Sequence, residues 1–280
     1  MSEARPAAHQ LVTRTWSAGA WSKAPDQVVT EEPLQLLLDG EPLSVVMRTP
    51  GHDVELALGL LYAEGLIRSA RDVKRVRISA EAGEKDAAGI DVDASLVESN
   101  HIDVHLATPA AKRPQRAMIA SSACGVCGSL MIEDLRHGLA ALPDGPTVSA
   151  SLLPRLVEAL RTGQGVFDRT GGLHASGLFS ASGEMRYVRE DVGRHNALDK
   201  IVGRSLLDGR LPLSDAVLVV SGRAGYEIVQ KSIAAGIPIL VAVGAPSSLA
   251  VALAREFDQT LAGFARGERF NVYSAAERVT

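Results

Sequence analysis

Alternating apolar and polar residues predict paired strands near the start of the chain. Every second residue is apolar over residues 34–38 and again over residues 43–47, which is the period of a strand with one buried face. An Asp-Gly dipeptide separates the two runs and has the composition of a tight hairpin turn. The apolar spacing then becomes helical over residues 54–61, and Gly65 marks the end of the predicted helix.

Two further apolar runs, at residues 73–78 and 102–106, are predicted to be strands. The stretch between them is rich in Ala, Glu, Asp and Gly, a composition that favours a loop. Together with the hairpin and the helix, these strands predict a small α+β domain over residues 21–106.

Two segments outside this domain are predicted to lack regular structure. Residues 1–20 are interpreted as a loose tail or an edge segment, and Trp16 and Trp21 are expected to be packing residues. Residues 107–117 contain two prolines and three basic residues, and we interpret them as the linker to a second domain.

The remainder of the chain, residues 118–280, alternates helical patterns with short apolar runs. Apolar runs separated by helices imply parallel strands with right-handed crossovers, so this part is predicted to be an α/β domain. Glycine within a strand is expected where another group must come close, which makes His174, in a glycine-rich run, a candidate site residue. The predicted parallel strands are residues 216–220, 237–243 and 260–264.

Composition then excludes several classes of protein. Apolar residues make up 46% and charged residues 22% of the 280 residues, as in a soluble globular protein with a sizeable core. The net charge of -4 argues against a broad nucleic-acid surface. No apolar run approaches the roughly 20 residues of a membrane span. The polar N-terminus does not resemble a signal peptide, and two cysteines in a long chain fit a reducing cytosol, where a free dithiol persists.

The only two cysteines, Cys124 and Cys127, lie in one Cys-Gly-Val-Cys motif. The apolar residues after the pair predict a helix, whose positive N-terminal end would favour thiolates. Four interpretations compete: two buried small residues, a structural zinc site, a redox dithiol, or a sulfur carrier that holds sulfur as a persulfide. Missing zinc-ligand spacing and the mid-chain position weigh against the second and third, but the spacing alone does not separate a redox dithiol from a sulfur carrier.

Several loops at predicted strand or helix ends have the composition of anion-binding sites. Arg194 and His195 stand at the start of a predicted helix, where positive charge is unfavourable unless an anion lies beside it. Loops after parallel strands gather at the edge of the sheet where ligands of α/β proteins bind. The remaining candidates are Ser221, Gly222 and Arg223 after one strand, and Arg266 and Arg269 around Gly267 after another.

Five motifs occur in a fixed order along the chain. They are Thr49-Pro50-Gly51 with Glu55-Leu56-Ala57, Ser122-Ala123-Cys124-Gly125-Val126-Cys127-Gly128, Thr170-Gly171-Gly172-Leu173-His174, Glu190-Asp191-Val192-Gly193-Arg194-His195-Asn196-Ala197-Leu198-Asp199-Lys200, and Ser221-Gly222-Arg223.

In this combination the chain resembles the formate dehydrogenase accessory sulfurtransferase family, FdhD, over roughly residues 28 to 275. The resemblance implies an α/β fold with a cytidine-deaminase-like, three-layer C-terminal domain, and a cytoplasmic homodimer. It implies a sulfurtransferase that accepts sulfur from a cysteine desulfurase as a cysteine persulfide. The sulfur then goes to molybdenum bis(molybdopterin guanine dinucleotide), a bound client cofactor, for use by formate dehydrogenase. No permanent metal, nucleic acid or membrane is expected.

Carried over by position, the resemblance implies that Cys124 bears the persulfide and that Cys127 is its partner. A CxxC redox protein and a zinc-dependent, deaminase-like nucleotide enzyme remain as alternatives. The deaminase interpretation is weakened because Ala123, not proline, precedes Cys124, and no His-x-Glu partner motif lies upstream. The segment that aligns with the family's cofactor-binding segment comprises Phe264, Ala265, Arg266, Gly267, Glu268 and Arg269.

Overall fold

The computed structural model describes residues 6–79, 100–108, 118–120 and 139–280 of the chain. It shows a mixed α/β protein with three sheets. The predicted linker therefore lies almost wholly outside the described residues, as do both cysteines. No helix in the described ranges is long and apolar enough to cross a membrane.

The N-terminal segment forms an isolated hairpin, which corrects the tail predicted for residues 1–20 over its larger part. Strands β1 (Ala8–Ser17) and β2 (Ala20–Val29) pair antiparallel through ten residues each. Ala18 and Gly19 make the turn with φ of 49° and 85°, the left-handed values of a two-residue hairpin turn. Trp16 and Trp21, expected to be packing residues, pack on each other with ring centroids 5.3 Å apart, and 57% and 59% of their surfaces stay exposed.

The first large sheet has five strands in the order β5-β6-β3-β4-β7. Its predicted hairpin is confirmed: Asp39 and Gly40 turn with φ of 52° and 82° between β3 and β4. At one end of the sheet, strand β7 runs parallel to β4, so residues 118–120 belong to the first sheet. The strands are β3 (Glu32–Leu38), β4 (Glu41–Arg48), β5 (Val73–Ser79), β6 (His101–Leu106) and β7 (Met118–Ala120).

The second large sheet has six strands in the order β13-β12-β11-β10-β8-β9. Its three central strands β10, β11 and β12 are parallel, as predicted, and the others are antiparallel to their neighbours. The strands are β8 (His174–Ser180), β9 (Met185–Asp191), β10 (Ala216–Val220), β11 (Ile239–Ala242), β12 (Thr260–Arg266) and β13 (Arg269–Ser274).

Six α-helices of the described ranges cover these sheets. The predicted helix at residues 54–61 is confirmed as α1, and the alternating pattern predicted for the second part of the chain is seen in α2 and α4 to α6, whereas the short α3 was not predicted. Residues Ala70–Asp72 and Ala276–Arg278 form additional 3-10 turns. The helices are α1 (Asp53–Ala63), α2 (Leu152–Thr162), α3 (Phe167–Thr170), α4 (Arg194–Leu207), α5 (Tyr226–Ala234) and α6 (Ser248–Glu256).

Helices α1 and α4 cross at very short range and join the two large sheets. A Cβ atom placed on Gly59 would lie 1.8 Å from the carbonyl oxygen of Asp199, and one on Gly203 would lie 1.8 Å from that of Glu55. Only glycine lets the two backbones approach this closely. One apolar core, from Leu36 through the helix pair to Leu218, therefore runs between the sheets, and α2 covers the opposite face of the second sheet in a smaller core.

A buried polar network lies beside this crossing and ties the two halves together. The Asp191 carboxylate accepts hydrogen bonds from the backbone N–H of Thr49 at 3.2 Å and from the Asn196 side chain at 2.8 Å. It also pairs with the Lys200 ammonium at 2.7 Å, where both side chains are at most 1% exposed. Lys200 and Asn196 in turn donate to backbone carbonyls of Thr49 and Met47. Each buried charge is thus compensated, which holds the start of α4 against the first sheet.

Candidate functional site

The candidate site lies at the edge of the six-stranded sheet where β10 and β11 end and β8 begins. The Ser221 hydroxyl accepts a hydrogen bond from the backbone N–H of Ala175 at 2.8 Å, which ties the loop after β10 to the start of β8. The N–H of Gly244, after β11, donates to the carbonyl of Gly222 at 2.9 Å. A side chain on Gly244 would collide with this neighbouring loop at 2.8 Å. The loops after β10 and β11 are therefore joined into one surface.

Three cationic or titratable side chains converge on this surface. The Cβ position of Gly222 lies 3.3 Å from His174 Nδ1 and 3.8 Å from Arg194 Cδ, so both side chains reach the loop after β10. Burial, and then the charges of Arg194 and Arg223, lower the pKa of His174 below its usual value. The imidazole is therefore neutral at physiological pH, while the two guanidinium groups keep the edge electropositive.

Arg194, at the start of α4, has a hydrogen-bond donor available to a ligand. Its Nε atom is buried and has no hydrogen-bond partner among the described residues. It is the first residue of a helix whose N-cap, Gly193, provides no side-chain cap. A buried donor without a partner costs free energy unless a ligand or water supplies an acceptor. An anion at this position would meet both the guanidinium and the positive end of the helix.

His195 occupies a different environment from the cation-lined surface. Its Nε2 lies 3.1 Å from Glu227 Oε2, with both side chains about one-tenth exposed. Burial, and then the charges of Lys231 and Arg194, lower the pKa of His195 to about 3, and burial raises the pKa of Glu227. At physiological pH the His195 imidazole is therefore neutral, so it brings no positive charge to an anion at this edge.

The segment Phe264–Arg269 forms the end of β12 and the turn into β13. The N–H of Phe264 donates to the Gly244 carbonyl at 3.0 Å, which brings this residue to the joined loops. Arg266 and Arg269 face each other across a turn in which Gly267 has φ of 55°, and Glu268 is exposed there. Ala265 is 1% exposed and packs into the core on the α2 side, so its side chain contributes no surface.

Two hollows border this part of the molecule. The smaller, of about 310 Å³, is lined by Phe264, Arg266, Arg269 and Asn271. The larger, of about 520 Å³, lies between α2, α3 and the sheet edge, where His174 and Ser221 form its polar end. Its other lining residues include Leu160, Gln164, Phe167 and Leu173.

The larger hollow was not predicted from the sequence. Gln164 lies near the C-terminal end of α2 and Phe167 belongs to the unpredicted α3, and nothing in their local sequence signals a cavity. Only the glycine-rich run around His174 indicated that another group approaches here. The structure thus gathers His174, Arg194, Ser221, Gly222 and Arg223 at one edge, whereas Arg266 and Arg269 border a separate hollow connected to it through Phe264.

Cys124 and Cys127 lie outside the described residues. The described strand that precedes them, β7, ends at Ala120 beside Val46 and runs parallel to β4. β4 leads directly to Thr49, whose N–H contacts Asp191 next to the start of α4. In the described ranges, no group of three or more His, Cys, Asp or Glu side chains is arranged to hold a metal ion.

The protein thus has a mixed α/β fold, and its six-stranded sheet ends in an electropositive edge lined by glycine-containing loops. Comparison with known families agrees with the resemblance read from the motifs, since residues 29–280 match the model of the FdhD/NarQ family. The chain belongs to the FdhD/NarQ family.

Similar proteins cover nearly the whole chain. The sulfur carrier protein FdhD of Streptomyces coelicolor is 48% identical over 268 residues, covering 93% of this chain and 92% of its own. The protein of the same name from Nocardia farcinica is 44% identical over 278 residues, covering 98% and 95%. A crystal structure from Desulfotalea psychrophila, assigned to a formate dehydrogenase accessory protein, superposes with a TM-score of 0.77 at 23% identity. It covers 98% of this chain and 100% of its own, and it supports the fold.

Proposed function

We propose that the protein is a sulfur carrier in which Cys124 holds the transferred sulfur as a persulfide. A protein that carries sulfur covalently in this form needs a thiol, and the chain has only two cysteines, both in one CxxC motif. That restriction, in a chain whose relatives are named sulfur carrier proteins, is the observation that carries the proposal. Because the resemblance places the persulfide on the first cysteine, Cys127 is assigned as its partner.

The proposed transfer is a thiolate attack on a persulfide. The Cys124 thiolate attacks the outer sulfur of a cysteine desulfurase persulfide, a new S–S bond forms, and the donor cysteine leaves as a thiolate. No net oxidation occurs, because the sulfane sulfur moves with its oxidation state unchanged. In the second transfer the S–S bond on Cys124 breaks, its electron pair stays on Cys124 as the regenerated thiolate, and the outer sulfur leaves as a sulfane atom taken by a nucleophilic acceptor.

The acceptor we propose is molybdenum bis(molybdopterin guanine dinucleotide), written here as the client substrate for formate dehydrogenase. The dinucleotide carries several phosphates, and backbone N–H groups and arginines suit such anions. The edge that contains Arg194, Ser221, Gly222 and Arg223 has this chemistry, and the hollow around Phe264, Arg266 and Arg269 extends it. His195, held by Glu227, supports the start of α4 and is assigned to the site as a neighbour of Arg194.

Three features implied by the resemblance belong to the same proposal. The six-stranded sheet, with α2 on one face and α4 to α6 on the other, supports a cytidine-deaminase-like, three-layer arrangement for the C-terminal part. The homodimer and the cytoplasmic location stay predictions. Light scattering of the purified protein measures the first, and fractionation of cells that express the protein measures the second.

Intact mass spectrometry tests the carrier role. After incubation with a cysteine desulfurase and cysteine, the wild-type protein is expected to gain the mass of one sulfur atom, which a reductant removes. Cys124→Ala is expected to lose this gain, whereas Cys127→Ala serves as the matched control for loss of one thiol. An unchanged gain in Cys124→Ala would contradict the assignment. A wild-type protein that only loses two hydrogens on oxidation would be a redox dithiol instead.

A further inference from the structure

The N-terminal hairpin presents one face that is aromatic and basic. Trp16 pairs with Trp21, and Arg14 with Lys23, in the antiparallel register, and alternate residues of a strand share a face. With Val12, whose surface is 71% exposed, these residues make up the surface called here the tryptophan face. The family model begins at residue 29, so this hairpin lies outside the region that defines the family.

The tryptophan face is built like the centre of a protein–protein interface. The two indole rings lie 5.3 Å apart, and the Arg14 guanidinium stacks over Trp21 at 5.0 Å. Tryptophan and arginine are the residues most enriched at interface positions that dominate binding energy. Their mutual stacking holds the rings in place before binding, which lowers the entropic cost of association.

A hairpin of this kind is expected to be covered in the working protein. β1 and β2 form a sheet of their own, and an isolated two-stranded hairpin is marginally stable in water. Exposed apolar patches rimmed by polar residues mark interaction sites in soluble proteins. The outer edge of β2 carries Lys23 and Pro25, which discourage a further strand, whereas β1 has neither lysine nor proline.

The charge of the hairpin indicates the chemistry of its partner. The tryptophan face carries Arg14 and Lys23 and no Asp or Glu, and Asp26, the one acidic residue of the two strands, alternates onto the other face. A second copy pairing through the same face would bring together two patches that both carry Arg14 and Lys23 and no acidic residue, since a two-fold interface uses one patch twice. A membrane gains only about fivefold in affinity per basic side chain near its surface, and this face offers two. The face therefore suits a different protein with acidic residues around an apolar surface.

The base of the hairpin lies at the border of the candidate site. Val29, the last residue of β2, contacts Gly172, with its Cγ1 3.2 Å from the position that a Cβ there would take. Gly172 and the neighbouring α3 line the larger hollow, at whose polar end His174 lies. The hairpin that carries the tryptophan face is thus anchored beside the edge where the client cofactor is proposed to bind, with Trp16 and Trp21 at the opposite, turn end of the hairpin.

We propose that the tryptophan face docks the sulfur-donor protein, a desulfurase with an acidic rim around an apolar surface. The inference rests on the proposed function, in which sulfur passes between thiols of two proteins and therefore needs a protein–protein contact. The proposed acceptor is a nucleotide-bearing cofactor. The glycine loops and arginines have the chemistry to bind it, whereas an exposed aromatic face does not.

Single-turnover loading tests the docking. The rate of persulfide formation is measured by mass spectrometry against the concentration of a cysteine desulfurase that loads the wild type. For Trp16→Ser/Trp21→Ser and for Arg14→Glu/Lys23→Glu, the half-saturating donor concentration is expected to rise at least about tenfold, with an unchanged rate at saturation. Met185→Ser, which removes another partly exposed apolar side chain, is the matched control and is expected to behave as wild type. Unchanged half-saturation in both double variants would overturn the docking.

Loading by glutathione persulfide separates this inference from the carrier role. All the hairpin variants are expected to take sulfur from this small donor at the wild-type rate, because no docking is needed. If the wild type takes sulfur from neither donor, the proposed function itself fails. If it takes sulfur from glutathione persulfide and from no desulfurase, the docking inference fails and the carrier role stands.

Fluorine NMR identifies the occupant directly. The only two tryptophans of the chain are Trp16 and Trp21, so 5-fluorotryptophan labelling gives two signals that both report on the tryptophan face. Unlabelled desulfurase is expected to shift or broaden both. A shift with increasing concentration of the protein alone, or with vesicles of phosphatidylcholine and phosphatidylglycerol but not with desulfurase, would overturn the assignment in favour of a second copy or a membrane.

Discussion

At the scale of single residues, the two neighbouring residues at the start of α4 have different environments in the structure, although the sequence predicted the same role for both. Arg194 and His195 are adjacent and were both predicted to hold an anion. The structure leaves Arg194 Nε buried without a described partner, and turns His195 toward Glu227. The site prediction for Arg194 therefore leads to a binding test, and that for His195 to a stability test.

Arg194→Ala is expected to weaken binding of GDP, used as a fragment of the proposed substrate, by about 1.5–3 kcal/mol, the range for a hydrogen bond to a charged group. Thermal stability is expected to hold or to rise slightly, because a positive charge leaves the positive end of the helix. Calorimetry with GDP and a melting curve on the same sample measure both quantities. A lower melting temperature with unchanged GDP affinity would mean that Arg194 is structural.

His195→Gln is expected to flatten the acid side of the stability profile. The folded pKa of His195, about 3, lies below its unfolded value, so the unfolded state binds the extra proton first. Stability attributable to neutral His195 is complete above the unfolded pKa near 6.5, and it is lost as pH falls toward 3, by about 1.4 kcal/mol per pH unit. Urea unfolding of both proteins between pH 7 and 4 measures this, and parallel profiles would contradict the pKa shift.

At the scale of elements, the α1–α4 crossing depends on two glycines. Gly59→Ala and Gly203→Ala each place a Cβ 1.8 Å from a backbone oxygen of the other helix, so the helices must move apart. Each change is expected to destabilise the protein by about 1–3 kcal/mol or more, as overpacking does. Gly165→Ala is the matched control, because nothing lies within 4 Å of its Cβ position. Equal melting temperatures for all three variants would contradict the close approach.

Most elements could be predicted from local sequence because their patterns are local. The Asp-Gly turn, the end of α1 before Gly65 and the apolar runs of β10 to β12 each depend on neighbouring residues. β4 shows the limit: Leu43, Val45 and Met47 alternate, but a bulge opposite Leu36 and Leu37 changes the buried face. Val46 is buried as a result, and Val45 is 41% exposed, which no local pattern encodes.

The candidate site was predictable only as a location. Loops after parallel strands meet at one edge of a sheet, and this rule alone predicts residues 221–223 as candidate site residues from the sequence. The contact of Gly222 with His174 and Arg194, and the pairing of His195 with Glu227, join segments far apart in sequence and depend on the packing of β8, α4 and α5. The hairpin of β1 and β2 was missed because Ala18-Gly19 is a weaker turn signal than Asp-Gly.

At the scale of the whole molecule, the two sheets are expected to unfold together. One apolar core runs through both, and the Asp191 network ties Thr49 to α4. Differential scanning calorimetry of the full chain is expected to show a single transition for both sheets, because neither keeps its core alone. The isolated hairpin contributes too little buried surface to add a transition. Two resolved transitions would contradict this and would support independent domains at the predicted boundaries.

The crossing of α1 and α4 also limits how this family can exchange parts. A chimera that takes residues up to the end of β6 from one relative and the rest from another must match both helix backbones within the space that Gly59 and Gly203 leave. It must also keep Thr49 opposite Asp191. A chimera cut at the boundary between the two halves is therefore expected to misfit unless both of its helix backbones match at the crossing.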